Sequence, residues 1–278
     1  MTDTRLIASD LDGTMLRHDK TISQRTVAAI HAAQQAGVTV IAATGRQTAS
    51  LLEILAPTGV RYAVASNGAI GVDLETGRVL FEEHLSARVA AEIVAFLTAR
   101  LENPRFSVIR DRGATRLAEP GYLAMVDAAE TALGPLAVAL DDVTELISRP
   151  TLKLGVRHPT VSPDSMLELL ESSGLAGFVA TTSGAPFLEI QGAGVTKATG
   201  LAQLCAHLGV AAAQVMAVGD AKNDIEMMIW AGYGVAMGNA VPEAIAAATW
   251  TTASNDHDGL ALAIERRLGF SGAQQPPV

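Results

Sequence analysis

Two aspartates stand two residues apart at the end of an apolar run near the start of the chain. The segment RLIASDLDGTM, residues 5–15, places Asp10 and Asp12 after a predicted buried strand and before Gly13. Side chains two apart along an extended strand point the same way, so both carboxylates should face one spot at the strand's end. Since two nearby carboxylates repel each other, the pair predicts a site that holds positive charge.

Three further polar segments accompany apolar strands or begin helices later in the chain. Thr44, Gly45 and Arg46 form TGR after the run VTVIAA, Lys197 stands at the start of a predicted helix, and GDAKND at 219–224 follows QVMAV. In an open parallel sheet, the loops at the carboxyl ends of the strands gather at one edge, where ligands bind. Acids, a cation and hydroxyl or amide donors collected there suit a phosphoryl group together with Mg²⁺.

The residue types indicate how such a site would work. Mg²⁺ prefers oxygen ligands, which matches Asp10, Asp12 and Asp220, whereas the six histidines show no spacing typical of zinc ligands. A carboxylate can also attack phosphorus, and the resulting aspartyl-phosphate divides one difficult displacement into two easier steps. We interpret Asp10 as this nucleophile. Asp12 would protonate the leaving alkoxide and then take a proton from the water that hydrolyses the intermediate.

The surrounding groups have predicted roles as well. Crowding by other acids is expected to let Asp12 hold a proton at neutral pH. Lys197 is predicted to neutralise charge on Asp10 and on the transferring group. Thr44, the backbone amide of Gly45 and Asn223 are predicted to hydrogen-bond the phosphate oxygens.

Each of these signals has a plainer explanation when it stands alone. A single DxDG segment more often caps a turn than catalyses a reaction, and an isolated TGR is almost uninformative. Lys197 alone would be a solvated helix residue, and Asn223 with Asp224 an ordinary helix N-terminus. The functional interpretation gains its weight from the four segments occurring together and in order.

Composition sets limits on the class of protein. The chain has 278 residues, 49% of them hydrophobic, which is enough for one large domain or two smaller ones. A net charge of −9 without any basic run argues against nucleic acid as a partner. Apolar stretches are repeatedly cut by charges, and no targeting segment is evident at the start, so we expect a soluble cytoplasmic protein with no membrane partner. Cys205, the single cysteine, falls in a helical apolar pattern and is interpreted as a core residue.

Strands alternate with helices at both ends of the chain, which predicts an α/β fold with a Rossmann-like, doubly wound parallel sheet. The character changes in the middle, where a hairpin turning at Glu75 to Gly77 leads into an α+β insert. We predict a core domain of residues 1–84 and 191–278 and an inserted cap domain of residues 85–190. Linkers near 84–86 and 191–194 would let the cap close over substrate. The tail SGAQQPPV, residues 271–278, is expected to be frayed.

Four further basic residues have less defined roles. Arg149, Lys153 and Arg157 of the insert are interpreted as surface charges, with contact between substrate and Lys153 or Arg149 as the alternative. Lys222 within GDAKND adds a positive charge beside the predicted phosphate site, and its role is left open.

The motifs resemble those of the haloacid dehalogenase (HAD) superfamily, and more narrowly its Cof-type phosphatases with an α/β cap of type IIB. The resemblance is carried by DLDGT, TGR, GVTKATGL and GDAKNDIEMMIWAGYGVAMGNA, together with SNGA at 66–69 and ATWTTASNDHDGLA near the C-terminus. It implies Asp10 as nucleophile and Asp12 as general acid and base. It also implies Mg²⁺ held by the side chains of Asp10 and Asp220 and the backbone carbonyl of Asp12, with Asp224 orienting Lys197 or a metal-bound water. The phosphate would be held by Thr44, Gly45, Lys197 and Asn223.

The leading hypothesis is therefore a Mg²⁺-dependent phosphatase acting on phosphomonoesters of small metabolites, such as sugar phosphates. A phosphomutase is a near alternative, because Asp12 could return the phosphoryl group to another hydroxyl. A catalytically idle sensor of a phosphorylated ligand is the alternative from another class. The physiological substrate and the oligomeric state are not predicted.

Overall fold

The computed structural model describes residues 3–126 and 138–270. The tail at 271–278, expected to be frayed, lies outside the described residues. In the part of the chain that is described, no helix has the length and apolar character needed to cross a membrane.

The described part of the chain contains fourteen strands and ten α-helices. The strands are β1 (Leu6–Ser9), β2 (Thr39–Ala43), β3 (Tyr62–Ala65), β4 (Ile70–Asp73), β5 (Arg78–Glu82), β6 (Arg105–Arg110), β7 (Thr115–Ala118), β8 (Val138–Ala139), β9 (Lys153–Arg157), β10 (Phe178–Thr181), β11 (Leu188–Gly192), β12 (Val215–Gly219), β13 (Tyr233–Ala236) and β14 (Trp250–Thr251). The α-helices are α1 (Gln24–Gln35), α2 (Leu51–Leu55), α3 (Ala87–Thr98), α4 (Pro120–Leu123), α5 (Val143–Leu146), α6 (Pro163–Glu171), α7 (Lys197–Leu208), α8 (Ile225–Trp230), α9 (Pro242–Ala247) and α10 (Gly259–Leu268).

The first sheet has its described strands in the order β14-β13-β12-β1-β2-β3-β4-β5. The strands from β14 to β3 are parallel, and the hairpin of β4 and β5 adds two antiparallel strands at one edge. The chain runs outward in one direction after β1 and in the other after β12. This change of direction is a topological switch point, which is where ligands bind in open α/β sheets.

Alternate residues of β1 serve the two faces of the first sheet. Ile7 belongs to a buried core with Ile30 of α1 and Ile264 of α10, while Leu6 lies in a second core with Leu204 of α7. Helices thus cover both faces, which explains why the parallel strands are continuously apolar. The predicted α/β fold with a doubly wound parallel sheet is confirmed.

The second sheet has the order β10-β11-β9-β6-β7-β8 among the described strands. Its pairs are antiparallel except for β7 with β8. One face packs on α3 and α6 through side chains such as Ile93 and Met166. The opposite face turns toward the first sheet, since Ile109 of β6 belongs to the first sheet's core.

The chain passes between the two sheets at the positions predicted for the linkers. A Cβ placed on Gly192 would lie 2.5 Å from the carbonyl oxygen of His84, so the two crossing segments are in direct backbone contact. The domain bounds 1–84, 85–190 and 191–278 stay a prediction.

Local signals explain where the helices begin and end. α7 starts at Lys197, the residue expected at the start of a helix, because Thr196 is its N-cap and forms a reciprocal capping box with Thr199. The helix ends where Gly209 adopts a left-handed φ of 65°. Cys205 of α7 is 1% exposed, and burial raises its pKa to about 12. Its interpretation as a core residue is confirmed.

Candidate active site

Three neighbouring strands of the first sheet end at one edge, and predicted site residues follow each of them. Asp10 follows β1, Thr44 follows β2 and Asp220 follows β12. A cavity of ≈ 490 Å³ lies at this edge, lined by residues of both sheets. The predicted site residues that line it are Asp10, Asp12, Thr44, Gly45, Asp220 and Asn223.

Lys197 lies beside this cavity and is bonded to two carboxylates. Its Nζ is 2.6 Å from Asp10 Oδ1 and 2.7 Å from Asp224 Oδ1, and its side chain is only 1% exposed. Burial alone would lower the pKa of Lys197, but the facing carboxylates outweigh burial and raise this pKa above its ordinary value. The ammonium group therefore stays charged at neutral pH.

The acids around Lys197 fit a hard divalent cation. Carboxylate oxygens of Asp10, Asp220 and Asp224 lie within 4.8 Å of one another. Asp224 uses both of its oxygens, one for Lys197 and one for two backbone N–H groups of its own loop at 3.0 Å. Asp10 and Asp220 each keep one oxygen that no described residue hydrogen-bonds, because only their Oδ1 atoms are engaged, by Lys197 and by Thr14. Unbonded carboxylate oxygens on two neighbouring acids are suitable ligands for Mg²⁺.

Gly13 makes room for this arrangement. Its φ is +81°, and a Cβ at this position would lie 2.2 Å from Asp220 Oδ2. A larger residue would meet both backbone strain and the carboxylate, which explains why the turn after Asp12 needs glycine.

Burial raises the pKa values of Asp10 and Asp220. It raises the pKa of Asp220 to about 6, with a further contribution from the negative charge of Asp224. The pKa of Asp10 is also raised well above its usual range, because burial and the neighbouring acids outweigh the opposing effect of Lys197. The crowding of acids inferred from the sequence therefore acts on Asp10 and Asp220.

Asp12 has the opposite environment, and the expectation that it holds a proton at neutral pH is wrong. Its Oδ2 lies 2.6 Å from Arg46 Nε, and its Oδ1 lies 2.7 Å from Arg46 Nη2 and 3.0 Å from Lys20 Nζ. Burial would raise the pKa of Asp12, but the bonds and charges of these two cations lower it below its ordinary value. Acids two residues apart were expected to share one environment, whereas Asp12 points to the flanking cations.

The predicted phosphate ligands surround the same end of the cavity. The Thr44 hydroxyl accepts from the Arg46 amide at 3.0 Å, which leaves its own proton free to donate. Asn223 Nδ2 donates to Asn67 Oδ1 at 3.0 Å, while Asn223 Oδ1 and Asn67 Nδ2 are buried without a partner among the described residues. Asn67, which sequence reasoning did not assign to the site, is held in a left-handed conformation with φ 56°. Its signal was the SNGA segment directly after β3.

Two basic residues of the insert were expected at the surface, and that interpretation is wrong. Lys153 is 8% and Arg157 is 3% exposed. Both belong to β9, an inner strand of the second sheet. Lys153 Nζ lies 2.7 Å from the carbonyl oxygen of Gly45 and 2.7 Å from Glu189 Oε1, so it connects the insert to the predicted phosphate loop. Arg149 is exposed, as predicted.

Lys222, whose role the sequence left open, contacts the insert as well. Its Nζ lies 3.0 Å from Asp164 Oδ1 of α6. Lys222 therefore forms an exposed ion pair between the two units of the chain.

Comparison with known proteins yields a family, curated relatives and solved structures. The family model described as haloacid dehalogenase-like hydrolase matches residues 7–264. An HMP-PP phosphatase of Yersinia pseudotuberculosis serotype O:1b is 34% identical over 246 residues, which cover 86% of this chain and 85% of the relative. A haloacid dehalogenase-like hydrolase from Bacteroides thetaiotaomicron has a TM-score of 0.77 and 26% identity, with 95% of this chain and 99% of that chain covered. A sugar phosphatase of HAD subclass IIB shares the fold at a TM-score of 0.81 and 21% identity, covering 96% of this chain and 99% of that one.

Proposed function

Given that this chain belongs to the haloacid dehalogenase-like hydrolase family and is a phosphoric monoester hydrolase, we propose that it hydrolyses phosphomonoesters of small metabolites in a Mg²⁺-dependent reaction through an aspartyl-phosphate. Sugar phosphates and similar compounds are the proposed substrates. The observation that carries the proposal is the buried contact of Lys197 with Asp10 and Asp224, next to Asp220 and at one end of the cavity. The relatives named as HMP-PP phosphatase and sugar phosphatase support a small phosphorylated substrate.

Asp10 would act as the nucleophile. Its carboxylate forms a bond to phosphorus while the bond from phosphorus to the leaving oxygen breaks. Lys197 holds Asp10 in place and supplies positive charge in a buried setting, where preformed charge stabilises the transition state without reorganisation. Thr44, the Gly45 amide and Asn223 would hold the phosphate oxygens.

Asp12 would transfer protons in both steps. The ionised form found in the free protein fits the second step, in which Asp12 takes a proton from the attacking water. In the first step it must donate a proton to the leaving oxygen. A bound phosphate would compete with Asp12 for Arg46 and Lys20, and weaker contact with these cations would raise the pKa of Asp12 toward that role.

Mg²⁺ would be held by Asp10, Asp220 and the backbone carbonyl of Asp12. Asp224 would stay bonded to Lys197. When bound, the ion supplies charge that stabilises the transferring phosphoryl group and offsets the repulsion among the acids. The insert would cover the site and exclude water. We place the activity in the cytoplasm, which is supported by the single buried cysteine.

The experiment is a turnover screen of phosphorylated metabolites and p-nitrophenyl phosphate, with Mg²⁺ and with chelator. We expect Mg²⁺-dependent release of phosphate and a loss of at least about a thousandfold in Asp10→Asn, because the nucleophile is removed. Asp19→Asn, an exposed change in the neighbouring loop, is the matched control. Transfer of phosphate to a second hydroxyl of the substrate would instead indicate a mutase. Binding of phosphorylated ligands without turnover across the panel would indicate the sensor.

A further inference from the structure

We propose that the insert side of the cavity contains an anion-binding subsite centred on Arg116. The preferred substrates would then carry a second negatively charged group, a carboxylate or a second phosphate, at the far end of the leaving group. This inference rests on the proposed function, which places the reacting phosphate at Asp10.

Arg116 is the cavity-lining cation that no described carboxylate neutralises. The other three lining cations each contact an acid: Lys20 and Arg46 contact Asp12, and Lys153 contacts Glu189. Arg116 Nη2 instead donates to the Tyr122 hydroxyl at 3.2 Å, and its Nε is buried without a hydrogen-bond partner. A guanidinium group in such a setting gains strongly from an anionic partner.

Tyr122 holds the guanidinium group in place. The ring is fully buried, and its centroid lies 5.3 Å from Arg116 Cζ. The Tyr122 hydroxyl accepts from Arg116 and so fixes the direction of the guanidinium group. Arg116 therefore presents its remaining donors in a fixed geometry, which suits a planar carboxylate or a phosphate.

The register of the second sheet places Arg116 away from the reacting end. Ile109 of β6 pairs with Arg116 of β7 on one side and with Lys153 of β9 on the other, so these three residues form one row across the sheet. Neighbouring strands are about 4.8 Å apart, which separates the backbones at Arg116 and Lys153 by about 10 Å. Lys153 contacts Gly45 of the predicted phosphate loop. A leaving group the size of a small sugar acid would bridge from that loop to Arg116.

The lining of the cavity as a whole is mostly apolar. Ile109, Ala185, Pro186 and Phe187 line it together with Tyr122. Charge interactions are stronger in such surroundings than in water, and a neutral group opposite Arg116 would leave the guanidinium unpaired. Discrimination between charged and neutral end groups is the expected consequence.

The test compares matched inhibitors of p-nitrophenyl phosphate hydrolysis. Sorbitol 6-phosphate and 6-phosphogluconate differ by a neutral or a carboxylate end on the same carbon chain, and fructose 6-phosphate and fructose 1,6-bisphosphate differ by the second phosphate. We expect the anionic member of at least one pair to inhibit the wild-type enzyme about tenfold more strongly or better, as a charge-assisted hydrogen bond predicts. Stronger inhibition by the anionic member of one pair alone supports the inference. It also shows whether the subsite prefers a carboxylate or a phosphate.

Substitution of Arg116 assigns the preference to this side chain. Arg116→Gln should reduce the ratio of inhibition constants to about threefold or less, and Arg116→Lys should retain part of it because the charge remains. Arg88→Gln, which removes an exposed insert arginine far from the cavity lining, should keep the wild-type ratio. The ratio is measured within one variant, so partial loss of folded protein does not change it.

Equal inhibition within both pairs by the wild-type enzyme would overturn the inference, as would an unchanged ratio in Arg116→Gln. The proposed function fails in a different way, through absence of aryl phosphate turnover with Mg²⁺. In that case the ratio of dissociation constants, measured by calorimetry with the same four compounds, still decides whether Arg116 selects anions.

Discussion

At the scale of single residues, the two acids of DLDGT have different environments. Asp10 is buried against Lys197, whereas Asp12 is bonded to Arg46 and Lys20. Substitution of Asp10 and substitution of Asp12 should therefore impair different chemical steps. Asp10→Asn should stop the first chemical step, and Asp12→Asn should impair proton transfer while the nucleophile remains.

Asp12→Asn provides a sharp test of the proton-transfer role. p-Nitrophenolate can leave without a proton, whereas an alkoxide leaving group needs one. The kcat for alkyl phosphates should therefore fall by about a hundredfold or more. With the aryl substrate, the first chemical step should be less affected. Hydrolysis of the aspartyl-phosphate would still be slow. We expect a rapid release of about one equivalent of p-nitrophenolate per enzyme in stopped flow. Slow nitrophenolate release without a burst would contradict this division of roles, and Asp19→Asn controls for a charge change nearby.

Asp220 leads to a prediction about pH and Mg²⁺. Its pKa is raised to about 6, above the unfolded value near 4. In the metal-free protein, the stability contributed by this group is fully present below about pH 4 and is lost as the pH rises through about 6. Mg²⁺ must compete with that proton at low pH, so it should stabilise the protein more at pH 7.5 than at pH 5.0.

The measurement is the melting temperature with and without Mg²⁺ at the two pH values. A metal at 100 times its dissociation constant adds about 2.7 kcal/mol, which corresponds to a shift of about 5 °C or more for a chain of this size. We expect a shift of that order at pH 7.5 and a clearly smaller one at pH 5.0. Asp220→Asn should abolish it. Equal shifts at both pH values in the unaltered protein would rule out a titrating ligand with this pKa.

The sequence predicted which residue types meet at the site but not how their charges pair. Asp10, Thr44 and Asp220 follow strands whose ends must share one edge, so their proximity could be predicted from topology alone. The contact of Asp12 with Arg46 depends on side-chain direction in two loops, which no periodicity encodes. Lys153 was interpreted as a surface charge because its burial depends on a strand of the insert facing the first sheet.

At the scale of elements, close packing of two glycines sets the position of α7. A Cβ on Gly68, in the turn after β3, would lie 1.9 Å from the carbonyl oxygen of Thr196, and Gly200 of α7 packs against the Cα of Gly68. Lys197 begins the helix directly after Thr196. The turn after β3 therefore positions the lysine that contacts Asp10.

Gly68→Ala should disturb both stability and the site. The added methyl group must push the start of α7 away, and overpacking of this kind costs about 1–3 kcal/mol, measurable by denaturant unfolding. We also expect a lower kcat, because Lys197 would move from Asp10. Gly174→Ala is a matched control, since Gly174 also has a positive φ, 73°, but nothing within 4 Å of its Cβ position. If both variants lost the same stability and kept their kcat, backbone strain alone would explain Gly68.

The elements themselves were largely predictable. The hairpin of β4 and β5 and helices α1, α3 and α6 occur where apolar periodicity and turn residues place them. Capping residues decide where a helix begins, as at Thr196. The contact between Gly68 and α7 joins segments more than a hundred residues apart, and a local pattern carries no signal for it.

At the scale of the whole molecule, the two sheets enclose the cavity through a small number of polar contacts. Thr48 Oγ1 donates to the Arg112 carbonyl at 2.6 Å, Lys153 donates to the Gly45 carbonyl, and Lys222 pairs with Asp164. Ile109 and Leu152 of the insert add apolar packing against the core of the first sheet. Opening of the insert to admit substrate would have to break both kinds of contact.

The ion pair of Lys222 with Asp164 allows this opening to be tested. The pair spans the two units, so opening of the insert would break it, and removing it should raise KM with little change in kcat. Both side chains are largely exposed, which limits the effect to roughly 0.2–1 kcal/mol, or at most about fivefold. Lys222→Gln and Asp164→Asn should each raise KM, and the double variant should be no worse than either one alone. High salt should reduce the difference in KM from the wild-type enzyme.

Arg88→Gln is the control, because it breaks an exposed ion pair within α3 and should leave KM unchanged. An unchanged KM in all three variants of the Lys222–Asp164 pair would show that this pair has no part in closure.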